Sequence, residues 1–462
     1  MRAVVIGLAE TGLAVTRRLR SEGWDVTVLE DTPGINDVYA ERAAEVRALG
    51  ARLEEAPAVA ATCAAVAAAD LVVPSPLVRL DHPALVAAGS AGVTVRSEID
   101  LAGERTTVPI VAITGTNGKT TVTTLTAAML AASGRRVVAA GNLGRPLIDA
   151  VSDPVDVIVA EVSSFQLACS ETFHPRVAVV LAITPDHLDW HGTYAEYVGA
   201  KARIARGQGA DDVLVFDADD ADATAIASAG PARALGFSRR YDAVGCAREI
   251  DGRLVDTDGD LLANIEDMRR ALVHDRTNAL AAGLAAIAAG ATTEGVRAAL
   301  ATYETLPHRV ALVGEAGGVQ WFDDSKATNP DATLRALESF DSAVLIAGGR
   351  NKGLDLSVLA RASSHLRGVV AFGEAGPEVA GVFPETVATE TVDSMHDAVL
   401  AAARLARPGD AVLLSPACAS FDAYANYAER GDDFAAEVAQ LTEGQSTEGP
   451  STEGHLTERR RT

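Results

Sequence analysis

Short, almost uninterrupted apolar runs recur along the chain, separated by longer stretches with mixed faces. RAVVIG, DVTVLE and ADLVVP come first; VPIVAIT, DVIVAEV, RVAVVLAI, DDVLVF, SAVLIAGG, GVVAFG and DAVLLS follow. Such runs, rich in β-branched residues and without alternation, fit strands covered on both faces. The stretches between them are long enough for helices, so parallel sheets and an α/β class are predicted.

The pattern falls into blocks. Residues 1–105 form one βα set that ends in the polar SEIDLAGERTTVP, and residues 106–305 form a second. LPHRV reads as a linker, because Pro307 favours an extended approach. Residues 306–441 form a third block. From residue 442 the chain changes character: TEG recurs at 442, 447 and 452, and TE at 457, before RRRT. This polar repeat offers no apolar face, and residues 442–462 are predicted to be a disordered tail.

Composition narrows the function. The net charge of −23 repels phosphate backbones and anionic lipid, so neither a nucleic acid nor a membrane surface is an expected partner. A small anionic substrate stays compatible, since a local site can be cationic on an acidic body. The four cysteines, Cys63, Cys169, Cys246 and Cys418, have no short spacing that would suggest a disulfide scaffold or a zinc site. The first residues run straight into a strand pattern without the regions of a signal peptide. The most apolar stretch, residues 56–73, is mainly Ala and is interrupted by Thr62 and Asp70. A cytoplasmic setting is expected, with a monomer favoured.

IVAITGTNGKTT carries the strongest chemical signal. A strand runs into a glycine loop that ends in Lys119-Thr120 and opens a helix, the arrangement that cradles phosphates. Lys119 would meet the terminal phosphates and Thr120 would offer a hydroxyl to Mg²⁺. The usual spacing needs Gly at position 113, where this chain has Ile113, so the loop is a variant. Glu161 ends a second apolar strand, where an acid beside such a loop can hold Mg²⁺. PDHLDWH brings His187, Asp189 and His191 to the end of another strand, where α/β sites collect. By composition Lys201, in AKARI, is a surface lysine.

Near the N-terminus, Gly7-x-Ala9-x-x-Gly12 is a degraded dinucleotide fingerprint, and Glu30 lies near the distance of a ribose-binding acid. It opens the alternative of an NAD-dependent dehydrogenase. Two late segments, WFDDSKATNPDAT and LLSPACASFDAYANYAERGDDF, gather polar groups, among them Asp323, Asp324, Ser325, Ser415, Ser420, Asp422 and Arg430. Loop polarity accounts for them, but binding residues also concentrate on loops that follow strands.

Taken together, GTNGKTT, AEVSSFQL, PDHLDWH, LPHRV, DDSKATNP, GGRNKGLDL and SPACASFDAYANYAERGDDF resemble the Mur ligases over nearly the whole chain outside the tail. GTNGKT is shared with folylpolyglutamate synthases; DDSKATNP followed by SPACASFD points to the D-glutamate-adding branch. The resemblance implies a Rossmann-like UDP-binding domain, a central P-loop-type ATPase domain and a C-terminal Rossmann-like domain that brings the amino acid. It implies that ATP phosphorylates the alanine carboxylate of UDP-N-acetylmuramoyl-L-alanine, and that D-glutamate attacks the acyl phosphate. By the same resemblance Lys119, His187 and Lys201 are catalytic, and Lys201 is carbamylated. Gly115, Thr116, Asn117, Gly118, Lys119, Thr120, Thr121, Asn278, Arg309 and Asp324 correspond to ATP contacts. Thr120, Glu161, His187 and the carbamate of Lys201 correspond to ligands of two Mg²⁺ ions. Glu10, Thr11 and Asn142 correspond to contacts of the UDP substrate, and Thr328, Lys352, Ser420 and Tyr427 to the D-glutamate pocket.

The sequence departs from the family pattern at Leu77, where glycine is usual, at Tyr424 and Tyr427, where phenylalanine is common, and at Glu10, an often apolar position. Within the class, a lysine- or diaminopimelate-adding Mur ligase and a folylpolyglutamate synthase are the alternatives. Outside it stand the dehydrogenase and a non-catalytic nucleotide-binding protein. A dehydrogenase does not need Lys119-Thr120 with Glu161, and a scaffold does not need the two late loops.

Overall fold

The structure, a computed structural model, describes residues 1–446; the rest of the repeat expected to be disordered lies outside the described residues. The chain forms two compact units, Met1–Glu304 and a second that begins at Thr305. Each apolar run singled out above is a strand.

The first unit opens with β1 (Arg2–Ile6), β2 (Asp25–Glu30), β3 (Arg52–Glu55), β4 (Leu71–Pro74) and β5 (Thr94–Val95). They form a parallel sheet in the order β3-β2-β1-β4-β5. A second parallel sheet holds β6 (Ile110–Thr114), β7 (Val137–Gly141), β8 (Val157–Glu161), β9 (Val177–Val180), β10 (Val213–Asp217) and β11 (Arg233–Phe237). Its order is β11-β10-β9-β6-β8-β7. The central strands β6, β8 and β9 are buried throughout, which explains their unbroken apolar sequences. Edge strands such as β3 (RLEE) and β7 (VVAAG) are half-exposed, and their mixed or small residues give no clear strand signal. A small antiparallel sheet of β12 (Arg248–Ile250), β13 (Arg253–Val255) and β14 (Leu261–Asn264) completes the unit.

The second unit contains β15 (Ala311–Ala316), β16 (Val319–Asp323), β17 (Ala343–Gly348), β18 (Leu366–Phe372), β19 (Ala388–Val392) and β20 (Ala411–Ala417). The sheet order is β15-β16-β20-β17-β18-β19, with only β15 antiparallel to its neighbour. The segment read as a linker turns instead. His308 and Val310 have φ of 61° and 49°, and His308 Nδ1 lies 2.6 Å from Asp323 Oδ2, which fastens the turn to the end of β16. The last helix, Tyr427–Ser446, extends one turn into the stretch expected to be disordered. Extending a helix already docked through Phe434 and Val438 fixes one residue per added hydrogen bond and needs no new nucleus. Among the described residues no helix is long and apolar enough to cross a membrane.

In both larger parallel sheets of the first unit the chain reverses its direction of winding beside the first strand, between β1 and β4 and between β6 and β9. In the second unit the reversal lies between β17 and β20. Such points leave a crevice outside the carboxyl ends of the strands.

The polar SEIDLAG segment is a structural latch within the first unit. Ser97 caps the helix Glu98–Gly103. Asp100 is fully buried and accepts from Ser170 Oγ at 2.7 Å and from the Glu171 and Thr172 amides. Glu98 is also buried; its Oε1 accepts from the Ile148 amide at 2.6 Å, and its Oε2 has no partner. Burial outweighs that bond and pushes the Glu98 carboxyl up to about 7. The unfolded chain ionises near 4.5, so between 4.5 and about 7 the folded state holds the extra proton. Stability from this group is therefore complete below the lower value and is lost as pH rises through the upper one. Glu98→Gln keeps an acceptor for Ile148 and does not titrate. The melting temperature of the variant minus that of the wild type is expected to rise as pH goes from about 5 to 7.5; a difference that stays flat in scanning fluorimetry would contradict the assignment.

Candidate active site

β6 ends at Thr114, and after the four residues 115–118 the helix Lys119–Ala132 begins. Ile113 is buried inside the strand, so the strand occupies the place where a longer phosphate loop would start. Gly115 has φ of +145°, and a Cβ there would lie 2.5 Å from Leu181 Cβ. Gly118 has φ of +83°, and a Cβ would lie 2.8 Å from Asn278 Oδ1. Both positions require glycine. No side chain caps the helix, so its positive end faces the loop. Thr116 is locked from below: its Oγ1 donates to the Thr184 carbonyl at 3.0 Å, accepts from the Thr184 amide at 2.9 Å, and lies 3.0 Å from the Tyr197 hydroxyl. Thr120 is buried, while Asn117, Thr121 and Asn278 are half-buried at the rim.

Two lysines converge on this loop. Lys119 Nζ donates to the carbonyls of Gly115 and Thr116 at 3.1 and 2.9 Å. Lys201 Nζ donates to the same Gly115 carbonyl at 2.7 Å. The surface reading of Lys201 is overturned, since the residue is 1% exposed. The helix Tyr194–Ala202 turns Tyr197 and Lys201, one turn apart, into the interior, and Nζ sits 4.6 Å from the centre of the Tyr197 ring. Burial, reinforced by the charge of Lys119, holds the Lys201 amine well below the usual lysine range.

Glu161 closes the adjacent strand β8 and is buried. Its backbone carbonyl accepts from the Asn142 amide at 2.8 Å and its Oε1 from Asn142 Nδ2 at 2.7 Å. Gly141, with φ of +90°, permits that approach, because a Cβ there would lie 2.3 Å from the Glu161 carbonyl. Glu161 Oε2 is buried without a hydrogen-bond partner. Beyond β9, Asp186 is buried and takes the His187 amide on Oδ1 at 2.9 Å. The ring of His187 packs on Phe165, with centroids 4.8 Å apart. His191 is buried behind it, 3.0 Å from Ser164 Oγ, and burial holds its imidazole down to about 4, neutral at ordinary pH. The loop at 115–120, Glu161 and His187 thus follow three neighbouring strands, β6, β8 and β9. Among the described residues no three His, Cys, Asp or Glu side chains form a ready metal cage. A Mg²⁺ ion, which keeps several waters and takes few protein ligands, suits the single open oxygen of Glu161.

At the first sheet, Gly7 has φ of +91° and a Cβ on Gly12 would lie 2.0 Å from the Gly7 carbonyl, so helix and loop touch as in dinucleotide folds. Glu30, considered as a ribose acid, is committed elsewhere: it accepts from the Leu8 amide at 2.7 Å and the Thr32 amide at 3.0 Å. Glu10 is exposed at the start of the helix Glu10–Ser21, and Thr11 is half-buried beside it. The Cβ of Leu77 is accommodated without distortion. Its side chain is 70% exposed, and its carbonyl accepts from Trp190 Nε1 at 3.0 Å.

The second unit collects its polar residues after β16, β17 and β20, which are neighbours. Asp324 is buried; its amide donates to the Leu414 carbonyl and its Oδ2 accepts from Ser415 Oγ, both at 2.8 Å. Burial pushes its carboxyl up to about 7, against the pull of Arg309. Ser415 lies inside β20, so it is a strand residue and not loop polarity. Thr328 and Lys352 are half-buried and Ser420 is buried. The ring of Tyr427 carries Lys326 Nζ at 3.7 Å from its centre. Tyr424 hydrogen-bonds Asp433 at 2.6 Å, an added use for a hydroxyl where phenylalanine is common.

Sequence reasoning missed Tyr197 and Asp186. Asp186 stood in the quoted PDH motif; Tyr197 had a signal only in its i to i+4 relation to Lys201.

Three family patterns match the chain: "Mur ligase MurD-like, N-terminal domain" over residues 1–97, "Mur ligase middle domain" over 113–286, and "Mur ligase, glutamate ligase domain" over 308–418. The chain is 41% identical to the UDP-N-acetylmuramoylalanine--D-glutamate ligase of Myxococcus xanthus, covering 95% of this chain and 98% of that one. It is 42% identical to the ligase of the same name from Desulfosudis oleivorans, covering 96% and 97%. Among solved structures, the MurF ligase of Thermotoga maritima in complex with ADP shares the fold, with a TM-score of 0.58, 18% identity, and 91% and 95% of the two chains covered.

Tyr197 is the floor on which the loop and Lys201 rest. Tyr197→Phe removes only its hydroxyl from Thr116 and is expected to cost about 1 kcal/mol. Tyr197→Ala also empties a buried ring site, at about 3–5 kcal/mol. Chemical denaturation of the two variants distinguishes the terms; equal losses would mean that the hydroxyl, not the ring, holds the floor.

Proposed function

The chain belongs to the Mur ligase family, and from that premise we propose that it joins D-glutamate to UDP-N-acetylmuramoyl-L-alanine at the expense of ATP, giving ADP and phosphate. The observation that carries the choice of amino acid is similarity at about 40% identity, over nearly the full length, to ligases named for D-glutamate. ATP and a UDP-linked precursor are cytoplasmic compounds, which is where this reading puts the enzyme.

A carboxylate resists attack by an amine until one of its oxygens becomes a leaving group. Transfer of the γ-phosphoryl to the alanine carboxylate supplies that group, and the amine of D-glutamate then forms the amide as phosphate departs. Positioning and charge stabilisation do most of the work in such transfers. Lys119 balances charge on the transferring phosphoryl, while the 115–121 loop and Asn278 seat the phosphates. Glu10, Thr11 and Asn142 serve the UDP substrate; Asn142 also orients Glu161. In the second unit, Arg309 and Asp324 are assigned to ATP, and Thr328, Lys352, Ser420 and Tyr427 to D-glutamate.

Mg²⁺ would supply positive charge that offsets that of the phosphates. Thr120 and Glu161 would hold one ion, and His187 with a carbamate on Lys201 a second. The environment of Lys201 favours that modification. A buried amine that gives up its proton has a lone pair free to form an N–C bond with CO₂. One C=O pair then moves onto oxygen and a proton leaves the nitrogen, turning a cation into an oxygen anion.

Glu30 is already engaged by two amides, which counts against its use as the ribose acid of a dehydrogenase. Release of ADP with each candidate amino acid tests the reading directly. D-glutamate alone is expected to support turnover with the UDP substrate; coupling of L-lysine or diaminopimelate at a similar rate would move the chain to another branch of the family. Lys201→Ala is expected to lose at least about 100-fold in turnover, the scale seen when an electrostatic group is removed. Formate or acetate should partly restore it, and full activity without a carboxylate would show that the carbamate has no part.

A further inference from the structure

Arg430 stands in the last helix and is completely buried, at 0% exposure. No carboxylate lies within ion-pair distance of it among the described residues. Its guanidinium spends its donors on loop backbone and one hydroxyl. Nε donates to Ser325 Oγ at 2.9 Å, Nη2 to the Ser325 carbonyl at 2.8 Å, and Nη1 and Nη2 both to the Cys418 carbonyl at 3.2 Å. Ser325 Oγ in turn donates to the Tyr427 carbonyl at 2.7 Å. The third neighbour is Gly349: a Cβ there would lie 3.0 Å from Arg430 Nη1 and 2.3 Å from the Ala419 carbonyl. Arg350 and Ala419 exchange both backbone hydrogen bonds, at 2.8 and 3.0 Å, so the Gly349 loop is tied to the loop after β20.

The guanidinium therefore lies where the loops after β16, β17 and β20 meet. Those loops carry Thr328, Lys352 and Ser420. Burial lowers the affinity of Arg430 for its proton, to about 10, and the group is still charged at neutral pH. An unpaired buried charge is costly unless its donors are satisfied, and an apolar side chain would fill the space more cheaply. What the guanidinium adds is a planar fork that reaches two loops at once; a lysine ammonium offers one point. The hydrogen bonds of Arg430 go to Ser325 and Cys418 and to none of the assigned ATP groups, and Asp324 is held separately by Leu414 and Ser415.

We infer that Arg430 is a positioning residue for the amino-acid pocket, acting through the two loops it bonds and the Gly349 loop that is tied to one of them. The inference rests on the assignment of Thr328, Lys352 and Ser420 to D-glutamate. In the full-length enzyme, Arg430→Lys is expected to raise KM for D-glutamate at least about tenfold, while KM for ATP and for the UDP substrate stays within about twofold. Ser325→Ala, which removes one anchor and keeps the arginine, should raise KM for D-glutamate about threefold with the same split, and it decides the matter if Arg430→Lys does not fold. A lower melting temperature with unchanged KM for D-glutamate, or an equal rise in all three constants, would overturn the inference. If the wild type couples a different amino acid, the reading of the substrate fails, and the same split is read for that amino acid.

Discussion

Two lysine side chains that share one carbonyl oxygen, one of them sealed from solvent, cannot both keep their charge at ordinary cost. This constraint organises the first unit. Lys119, half-buried on the loop, retains access to solvent; Lys201, sealed beneath it, is the amine whose hold on its proton is weakened. The surrounding residues make the conflict persist. Gly115 permits the backbone path that aims its carbonyl at both amines, Thr116 is saturated and cannot drift, and the Tyr197 ring stays under Lys201. A lysine that merely needed a counter-charge would find one easily on so acidic a chain. Its confinement is what makes its chemistry unusual.

On a chain with a net charge of −23, two of the largest fully buried side chains are nevertheless basic. Lys201 and Arg430 are the basic side chains among the largest fully buried residues, and both are bound to carbonyl oxygens. Two buried acids, Glu98 and Asp324, are shifted toward their neutral form, whereas the hydrogen-bond donors around Asp212 and Asp410 hold those carboxyls below the usual range. Burial alone therefore does not set the charge of an interior acid; the donors that surround it do.

Much of the architecture was legible in the sequence because central parallel strands bury both faces and must be apolar along their length. β6, β8, β9 and β17 announced themselves in this way. Edge strands did not, since RLEE and VVAAG meet solvent on one side. The loop chemistry was equally visible, because Gly115, Gly118 and Lys119 lie within a few residues of one another. Burial of an isolated polar residue was not visible. Lys201 and Arg430 read as ordinary surface or loop cations because the partners that enclose them, Gly115, Ser325 and Cys418, come from distant parts of the chain. LPHRV misled for a related reason: Pro307 favours an extended approach, but the pairing of His308 with Asp323 turns the chain instead.

The SEIDLAG helix has a consequence for taking the protein apart. By sequence it belongs to the first sheet, yet Glu98 and Asp100 spend their oxygens on amides at 148, 171 and 172, beyond β7 and β8. A fragment begun at residue 106 would leave those amides without acceptors inside an apolar surface that Ile99, Leu101 and Ala102 no longer cover. The cover of the second sheet therefore begins at Ser97, in a stretch that composition alone would discard as connector.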